Sequence, residues 1–470
     1  MTDIQDRATK QVLDVLTLVG ESKSKMDTDK LLTVQNLSYV LQPQLSCVNF
    51  RRLERQPYTS NNYNAGEVMT IQLNSGERFM IPRNSYLQFQ WYWNATNADD
   101  THKVFASTIG AYACFQSSTV TTASGVELCR IDSYLNYLNS IRLLRRKNTH
   151  SREKLLAGVP SAGNTNYTYL PPANRAVTAA GGGAMTISAA SSAAAPLFQI
   201  PLADLNPIFD TDQPLPHLIV SGLRIDLTLA PYQLAGVVSG TAATTYSIVN
   251  PAIISDNLYL TDAFLQALTK QAATGGLEME FSAYANQAFA VASAAPQLQS
   301  QRALTHVKEV VVARFVTPNG TPATEAALDS FINGAADNLI VGYQFNVGSQ
   351  YYPNHYCIGY GTSQAQKQEI FRLGVVIPGC IDEYADLTYD RWGGTTSYMS
   401  QDTPTCCNPL LICDLQRSPI MSHSGLGLSS AKNLTCNMTL STSDTAMYIM
   451  LIRYSLGLEI FSDGRVIVRT

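Results

Sequence analysis

Apolar and polar residues alternate with a period of two along most of this chain, the pattern of half-buried β-strands. Met69, Ile71 and Leu73 alternate with Thr70 and Gln72. The turn-forming Asn74-Ser-Gly76 follows and then Phe79-Met-Ile81, so the stretch reads as a hairpin. Leu87, Phe89, Trp91 and Trp93 alternate with Gln88, Gln90 and Tyr92, and Leu223 to Leu229 repeats the pattern around Arg224, Asp226 and Thr228. Further on, Leu277, Met279 and Phe281 alternate with Glu278 and Glu280, and Val307 to Phe315 is rich in β-branched residues. Leu456, Leu458 and Ile460 lead through Ser462-Asp-Gly464 into Val466-Ile-Val468, a closing hairpin.

A few segments break the period. Ile131, Tyr134, Leu135, Leu138, Ile141 and Leu144 share one face of a helix predicted to start near Val126. Its basic end, Arg142, Arg145, Arg146 and Lys147, suits the helix dipole. A short helix is predicted after Thr321 as cap, with Pro322 in its first turn and Gly334 beyond its end. Ile4, Ala8, Val12, Val15 and Leu16 have the spacing of an amphipathic helix, placed on an N-terminal arm at residues 1–34. Between Gly158 and Pro196 the chain is almost all Ala, Gly, Ser, Thr and Pro, including Gly181-Gly-Gly183. It lacks the large apolar residues of a core and predicts a long loop, 158–196.

The two halves echo each other. Gly66-Glu-Val-Met69-Thr-Ile71 resembles Gly276-Leu-Glu-Met279-Glu-Phe281, and Asp204-Leu205 resembles Asp414-Leu415, both at an offset of 210 residues. Leu223-Arg-Ile-Asp-Leu-Thr-Leu229 resembles Leu434-Thr-Cys-Asn-Met-Thr-Leu440 at an offset of 211. Three matches in one order predict a duplicated β-domain. The expected division is an arm at 1–34, a first domain at 35–265 and a second at 275–470, joined near 262–275. The fold class is all-β: two tandem antiparallel sandwiches of jelly-roll type with a few short helices in loops.

Composition narrows the function. The chain has 470 residues, and only 14% are charged, against about 25% in an ordinary soluble protein. Such a chain is expected to cover much of its surface with neighbours. Its 32 basic and 36 acidic residues give a net charge of −4, without the basic excess of a protein that coats nucleic acid. The start, Met1-Thr-Asp-Ile-Gln-Asp-Arg, lacks a secretory pattern, and no apolar run approaches the ~20 residues that cross a bilayer. Nine scattered cysteines are then expected as reduced, buried thiols, and the sequon at Asn94-Ala-Thr96 as unused.

Candidate chemistry is sparse. Cys406, Cys407, Cys413 and His423 cluster, but adjacent cysteines rarely share one tetrahedral ion, and buried thiols between strands are the expectation. Gly181-Gly-Gly183 lacks the Gly-Lys-Ser/Thr ending of a phosphate loop. Asp210-Thr-Asp212 lacks further ligands and reads as a solvated turn. No histidine has a nearby Ser or Cys at nucleophile spacing. No catalytic, cofactor-binding or metal-ligating residues are expected. The basic run 142–154 keeps several readings open: contact with DNA or an inner membrane, pairing with acidic groups of a neighbouring subunit, or a solvated helix end.

Four segments stand out: Gly125 to Asn139, Ile200-Pro-Leu202 with Leu215-Pro-His-Leu-Ile219, Tyr343 to Pro353, and Asp414-Leu-Gln-Arg-Ser418 with Ser424-Gly-Leu426. They resemble segments of the double jelly-roll major capsid proteins of eukaryotic DNA viruses, of the polinton-like virus and virophage type and more distantly those of large nucleocytoplasmic DNA viruses. Gln416 stands where that family usually has Glu. The resemblance implies homotrimers that form pseudo-hexagonal capsomers of an icosahedral shell around DNA. It implies no enzyme activity and no cofactor. Expected partners are the chain itself, neighbouring capsomers, and penton and minor capsid proteins. The expected location is the virion, after synthesis in the host cytoplasm or nucleus. Two other classes compete: a tandem β-sandwich binding module of a spike or lectin-like kind, and a β-rich hydrolase. The first needs exposed aromatics grouped with Asp or Asn, and the second a convergent acid/base pair in a cleft.

The loop reading is testable. A short epitope inserted near Gly182 is expected to leave folding and trimer formation intact by circular dichroism and light scattering, and a variant that fails to fold would show the segment to be structural.

Overall fold

The computed structural model describes residues 48–57, 62–73, 78–94, 104–106, 109–145, 188–189, 195, 197–211, 213–238, 246–315, 340–358, 411–416, 425–428, 432–440 and 446–469. The predicted helices at 4–16 and 321–334 and most of 158–196 lie outside them.

Most alternating segments become strands with one face buried, and the edge strand β1 forms without one. In the first half these are β1 (Val48–Pro57), β2 (Val68–Gln72), β3 (Arg78–Asn94), β4 (Phe115–Thr121), β5 (Glu127–Ile131), β6 (Leu197–Pro201), β7 (Arg224–Leu229) and β8 (Tyr246–Leu260). They form one sheet in the order β1-β8-β3-β6 and another in the order β2-β7-β4-β5. The second half has β9 (Leu277–Ala290), β10 (Gln297–Ser300), β11 (Val307–Phe315), β12 (Ile340–Val347), β13 (Gln350–Ile358), β14 (Leu411–Asp414), β15 (Leu434–Leu440) and β16 (Met447–Ile460). Their sheets run β9-β16-β11-β14 and β10-β15-β12-β13. Adding eight to each label of the first half reproduces the second. Each half is therefore a jelly roll, and the chain is a double one.

The first core is aromatic. Phe89 meets Phe115 edge-on at 5.5 Å and Trp91 meets Phe198 at 5.7 Å, all four rings buried. Tyr246, also buried, donates its hydroxyl to the carbonyl of Ala230 at 2.6 Å, so its polar end is satisfied. The second core is more aliphatic, with Val310, Val312, Met450 and Ile452 beside Tyr343 and Phe345.

The structure corrects the sequence reading at several points. Residues 69–81 are not a hairpin: β2 pairs with β7, whereas β3 pairs with β8 and β6, so the chain crosses from one sheet to the other between them. Residues 127–131 do not begin a helix either. They are β5, whose Ile131 pairs with Ser118. Ser133, at φ 47°, breaks the strand before helix α1 (Leu135–Arg145). The constant offset of 210 also fails. Met69 lies on β2 and Met279 on β9, whose counterparts are β10 and β1. Alternating strands share so few residue types that such matches arise between non-equivalent ones. Asp204 and Asp414 do both leave the equivalent strands β6 and β14, but Asp204 lies in the short helix Leu202–Leu205 and Asp414 is still within its strand. Only the third match is in register. Ile225 sits between Ile71 and Val120, and Cys436 between Leu298 and Phe345, at the same place in β7 and β15.

Helix α2 (Asp262–Gly275) joins the sandwiches, and Gly276 at φ 72° ends it, a backbone state that glycine adopts without strain. The closing hairpin forms as expected. Strand β17 (Val466–Arg469) pairs with Gly457–Ile460 of β16, on the side opposite β9. In the first sandwich the corresponding end of β8 is paired by Arg78–Ile81 of β3 instead.

Ile225 is 1% exposed, and its neighbour Arg224 points out of the sheet toward Asp226. Ile225→Asp would bury an unpaired carboxylate between the sheets, and a loss of several kcal/mol, about 3 or more, is expected in urea unfolding. Arg224→Ala should stay within roughly 0.5 kcal/mol. Equal effects at the two positions would contradict the assignment of faces.

Candidate assembly surfaces

The two sandwiches belong to one compact unit, Val48–Thr470, and meet through a small set of contacts. Helix α1 follows β5 and turns Tyr137 onto Phe315 at the end of β11, ring centroids 4.6 Å apart and nearly perpendicular. Strand β9 runs against β5 and the 3-10 turn Pro207–Phe209. Asn286 of β9 donates its side-chain amide to the carbonyl of Asp132 at 3.5 Å.

Arg142, on α1, ties these parts together. Its guanidinium lies 3.4 Å from Asp210 and 3.8 Å from the buried Asp204, donates to the carbonyl of Ala203 at 3.3 Å, and covers the ring of Tyr284 at 5.7 Å. Asp204 also accepts the hydroxyl of Tyr112 at 2.7 Å. A buried carboxylate is tolerated when a cation and hydrogen-bond donors surround it. The basic run 142–154 therefore does not begin as a solvent-facing or DNA-facing patch, because Arg142 is spent inside the block. Residues 146–154 lie outside the described residues. Asp210 is exposed at the end of the 3-10 turn and reaches Arg142 from the solvent side, and Asp212 lies outside the described residues.

A second polar network holds the edge strand β1. Arg51 pairs with Asp256, which is buried and also accepts the side-chain amide of Asn84 at 3.1 Å. Arg78 pairs with Glu54, which accepts the hydroxyl of Tyr259 at 2.5 Å and the amide of Asn257 at 3.2 Å. That hydrogen bond is the main reason the Tyr259 phenol titrates above its ordinary range. Phe50 stacks on Tyr259 with centroids 4.0 Å apart.

A third set of charges lies on the second sandwich. Lys308 and Glu309 occupy a register shift of β11 and are both buried. Lys308 lies 3.9 Å from Glu280 and 3.5 Å from the Ser282 hydroxyl, and burial lowers its pKa despite Glu280. Asp414 pairs with Glu309 across the sheet, and burial raises its carboxyl above the usual range.

Cys413 and Cys436 are buried free thiols, as are Cys114 and Cys129. Burial pushes all four upward, Cys129 to about 12, so they resist becoming reactive thiolates. Cys406, Cys407 and His423 lie outside the described residues, and no group of three potential metal ligands occurs among the described ones. Gly181-Gly-Gly183 is likewise outside. The described surface exposes Phe50, Leu53, Val68, Leu197, Tyr351 and Ile467. Val68, Tyr351 and Ile467 stand in segments quoted from the sequence, but their exposure is not legible there, since an exposed apolar residue in a strand looks like a buried one.

No family model and no curated protein matches the chain. Solved structures do. The crystal structure of PBCV-1 VP54, fitted into a reconstruction of the virophage Sputnik, aligns with a TM-score of 0.58 and 11% identity, over 93% of this chain and 99% of that one. The Faustovirus major capsid protein aligns at 0.54 with 10% identity, over 97% and 98%. A chain of the Sputnik virophage cryo-EM structure aligns at 0.55 with 12% identity, over 92% and 93%. At these identities the shared property is the fold, the double jelly roll of major capsid proteins.

Arg142→Met is expected to loosen the block by roughly 3 kcal/mol, because Asp204 stays buried without its cation. Hydrogen exchange should rise in α1 and β9 first, with Arg142→Lys intermediate. Unchanged protection in both variants would show that the Tyr137–Phe315 contact suffices.

Proposed function

We propose that this chain is the major capsid protein of an icosahedral DNA virus, a structural protein without catalytic activity. It assembles as homotrimers that serve as pseudo-hexagonal capsomers. The observation that carries the reading is the double jelly roll aligned over nearly the full length of this chain and of several viral coat proteins. Residues 35–265 and 275–470 are the two duplicated domains in this proposal, and three chains supply six of them to one capsomer.

The direction of the strands supports an outer and an inner end. The strand ends flanking 95–114, 132–196, 316–339 and 359–410 all lie at the end of their sandwich away from α2. Long insertions gathered at one end suit the exterior of a shell, while the shorter end with α2 suits its floor. Penton and minor capsid proteins are the further partners, the virion is the location, and synthesis occurs in the host cytoplasm or nucleus. A tandem binding module on a spike has less support, because the described aromatics are mostly buried in cores.

The purified chain is expected to run as three 51.2 kDa copies in light scattering, and as threefold-symmetric hexagonal outlines in electron microscopy. A stable monomer across micromolar concentrations would overturn the reading.

A further inference from the structure

Helix α2 presents a face that the described part of the chain leaves uncovered. Of its 14 residues only Ala272 is buried. Leu265, Gln266, Thr269, Lys270 and Ala273 share one side of it and form a wall of a groove of about 470 Å³. His217 forms the opposite wall, with its ring tilted against the buried Phe79 at 5.6 Å. The groove is too small for a whole helix, ~10–12 Å across, and large enough for side chains of one.

The helix carries two charges. Asp262 stands in its first turn and Lys270 two turns later, and every other residue of Asp262–Gly275 is uncharged. Both are exposed, and among the described residues neither side chain has an ion-pair partner. They cannot pair with each other, because eight residues of helix hold them about 12 Å apart. Asp262, Gln266 and Lys270 follow at intervals of four on one face, so Gln266 lies midway between the charges.

That spacing is self-complementary. Two α2 helices laid antiparallel, Gln266 against Gln266, set each Asp262 beside the Lys270 of the other. Their dipoles then oppose, which also favours the pair. A parallel pair would set like charge against like. The small side chains of Thr269 and Ala273 let the helices approach, and the two Gln266 amides can hydrogen-bond across the axis.

We infer that α2 docks against α2 of a second copy of this chain, in an antiparallel contact whose two-fold axis passes by Gln266. The groove beside His217 receives side chains of the partner helix. The inference rests on the capsid reading above and adds a contact to it. Two members of one threefold ring cannot share a two-fold axis, so the contact joins one trimer to another at the end that carries α2. Each exposed ion pair contributes little and is screened by salt, so a single contact is weak and a shell gains from their number.

The test uses the full chain. At low salt the wild type is expected to pass from three copies to six and larger multiples in light scattering as its concentration rises. Lys270→Asp and Asp262→Lys, made separately, should each hold it at three copies. The double variant restores opposite charges across the axis and should regain the association. Thermal melting of all three should match the wild type, because both side chains are exposed. In a second arm, Gln266→Cys treated with copper phenanthroline should cross-link to itself and give a band at twice 51.2 kDa. Wild type, and Gln271→Cys on the far side of the helix, should not. That arm decides the matter where a charge variant fails to fold or the wild type stays at three copies. A double variant as impaired as the single ones, or a Gln266→Cys chain that does not cross-link, would overturn the α2 contact and leave the trimer intact. A wild type that is a monomer at every concentration yet cross-links through Gln266→Cys would overturn the trimer and keep the contact.

Discussion

An apolar sheet face must be covered, and the second sandwich has two of them. Along β11 residues 307–313 are all buried, and in β16 the run Tyr448–Ile452 is buried without a break. A strand with one covered face would alternate, as Leu87, Phe89 and Trp91 do in β3. The extra cover comes in part from the first sandwich: Tyr137 on Phe315, Arg142 on Tyr284, and the Pro207–Phe209 turn on β9. The second sandwich thus has an outer face suited to a neighbour rather than to water, and the neighbour is in the same chain. The charges carried by that region follow the same logic. Lys308 is placed near Glu280 and Ser282, and Arg142 near two carboxylates, since an isolated buried charge would be prohibitively costly.

Much of this was legible in the sequence because a period of two is a direct consequence of a sheet with one wet face. The strands around Leu87, Leu223, Leu277 and Leu456 carry it, while the strand from Val307, buried on both faces, shows itself by its β-branched residues instead. What alternation cannot say is which strand pairs with which. The 69–81 segment looks like a hairpin because its turn residues and flanking strands satisfy local rules, yet a jelly roll sends its consecutive strands to opposite sheets. The duplication was legible for a related reason only in part. Ile225 and Cys436 match because β7 and β15 are central strands with neighbours on both sides, which restricts their residues. Met69 and Met279 match by the poverty of the strand alphabet.

Helix α2 shows the opposite failure. Its start signal, Thr261-Asp262, and its stop, Gly275-Gly276, stand in the sequence, but its apolar positions are weakly patterned because only Ala272 is buried. The inward turn of Arg142 was hidden too. In sequence it opens a basic run at a helix end, and the dipole accounts for it without any partner. Its actual partners, Asp204, Asp210 and Tyr284, come from three places 62 to 142 residues away. Long-range pairing of that kind leaves no local spacing to read.

The edge strands pose a harder problem for a chain with so few charges. A ten-residue edge of the length of β1, if it were apolar, would recruit any extended segment by backbone pairing and lead to aggregation. Here Arg51, Arg52 and Arg55 stand among Phe50 and Leu53, with Arg51 and Arg52 more than half exposed. Closely spaced cations discourage a second strand of the same kind, because an antiparallel β1–β1 pair would set arginine against arginine. Solubility at a low overall charge then depends on where the few charges stand as well as on how many there are.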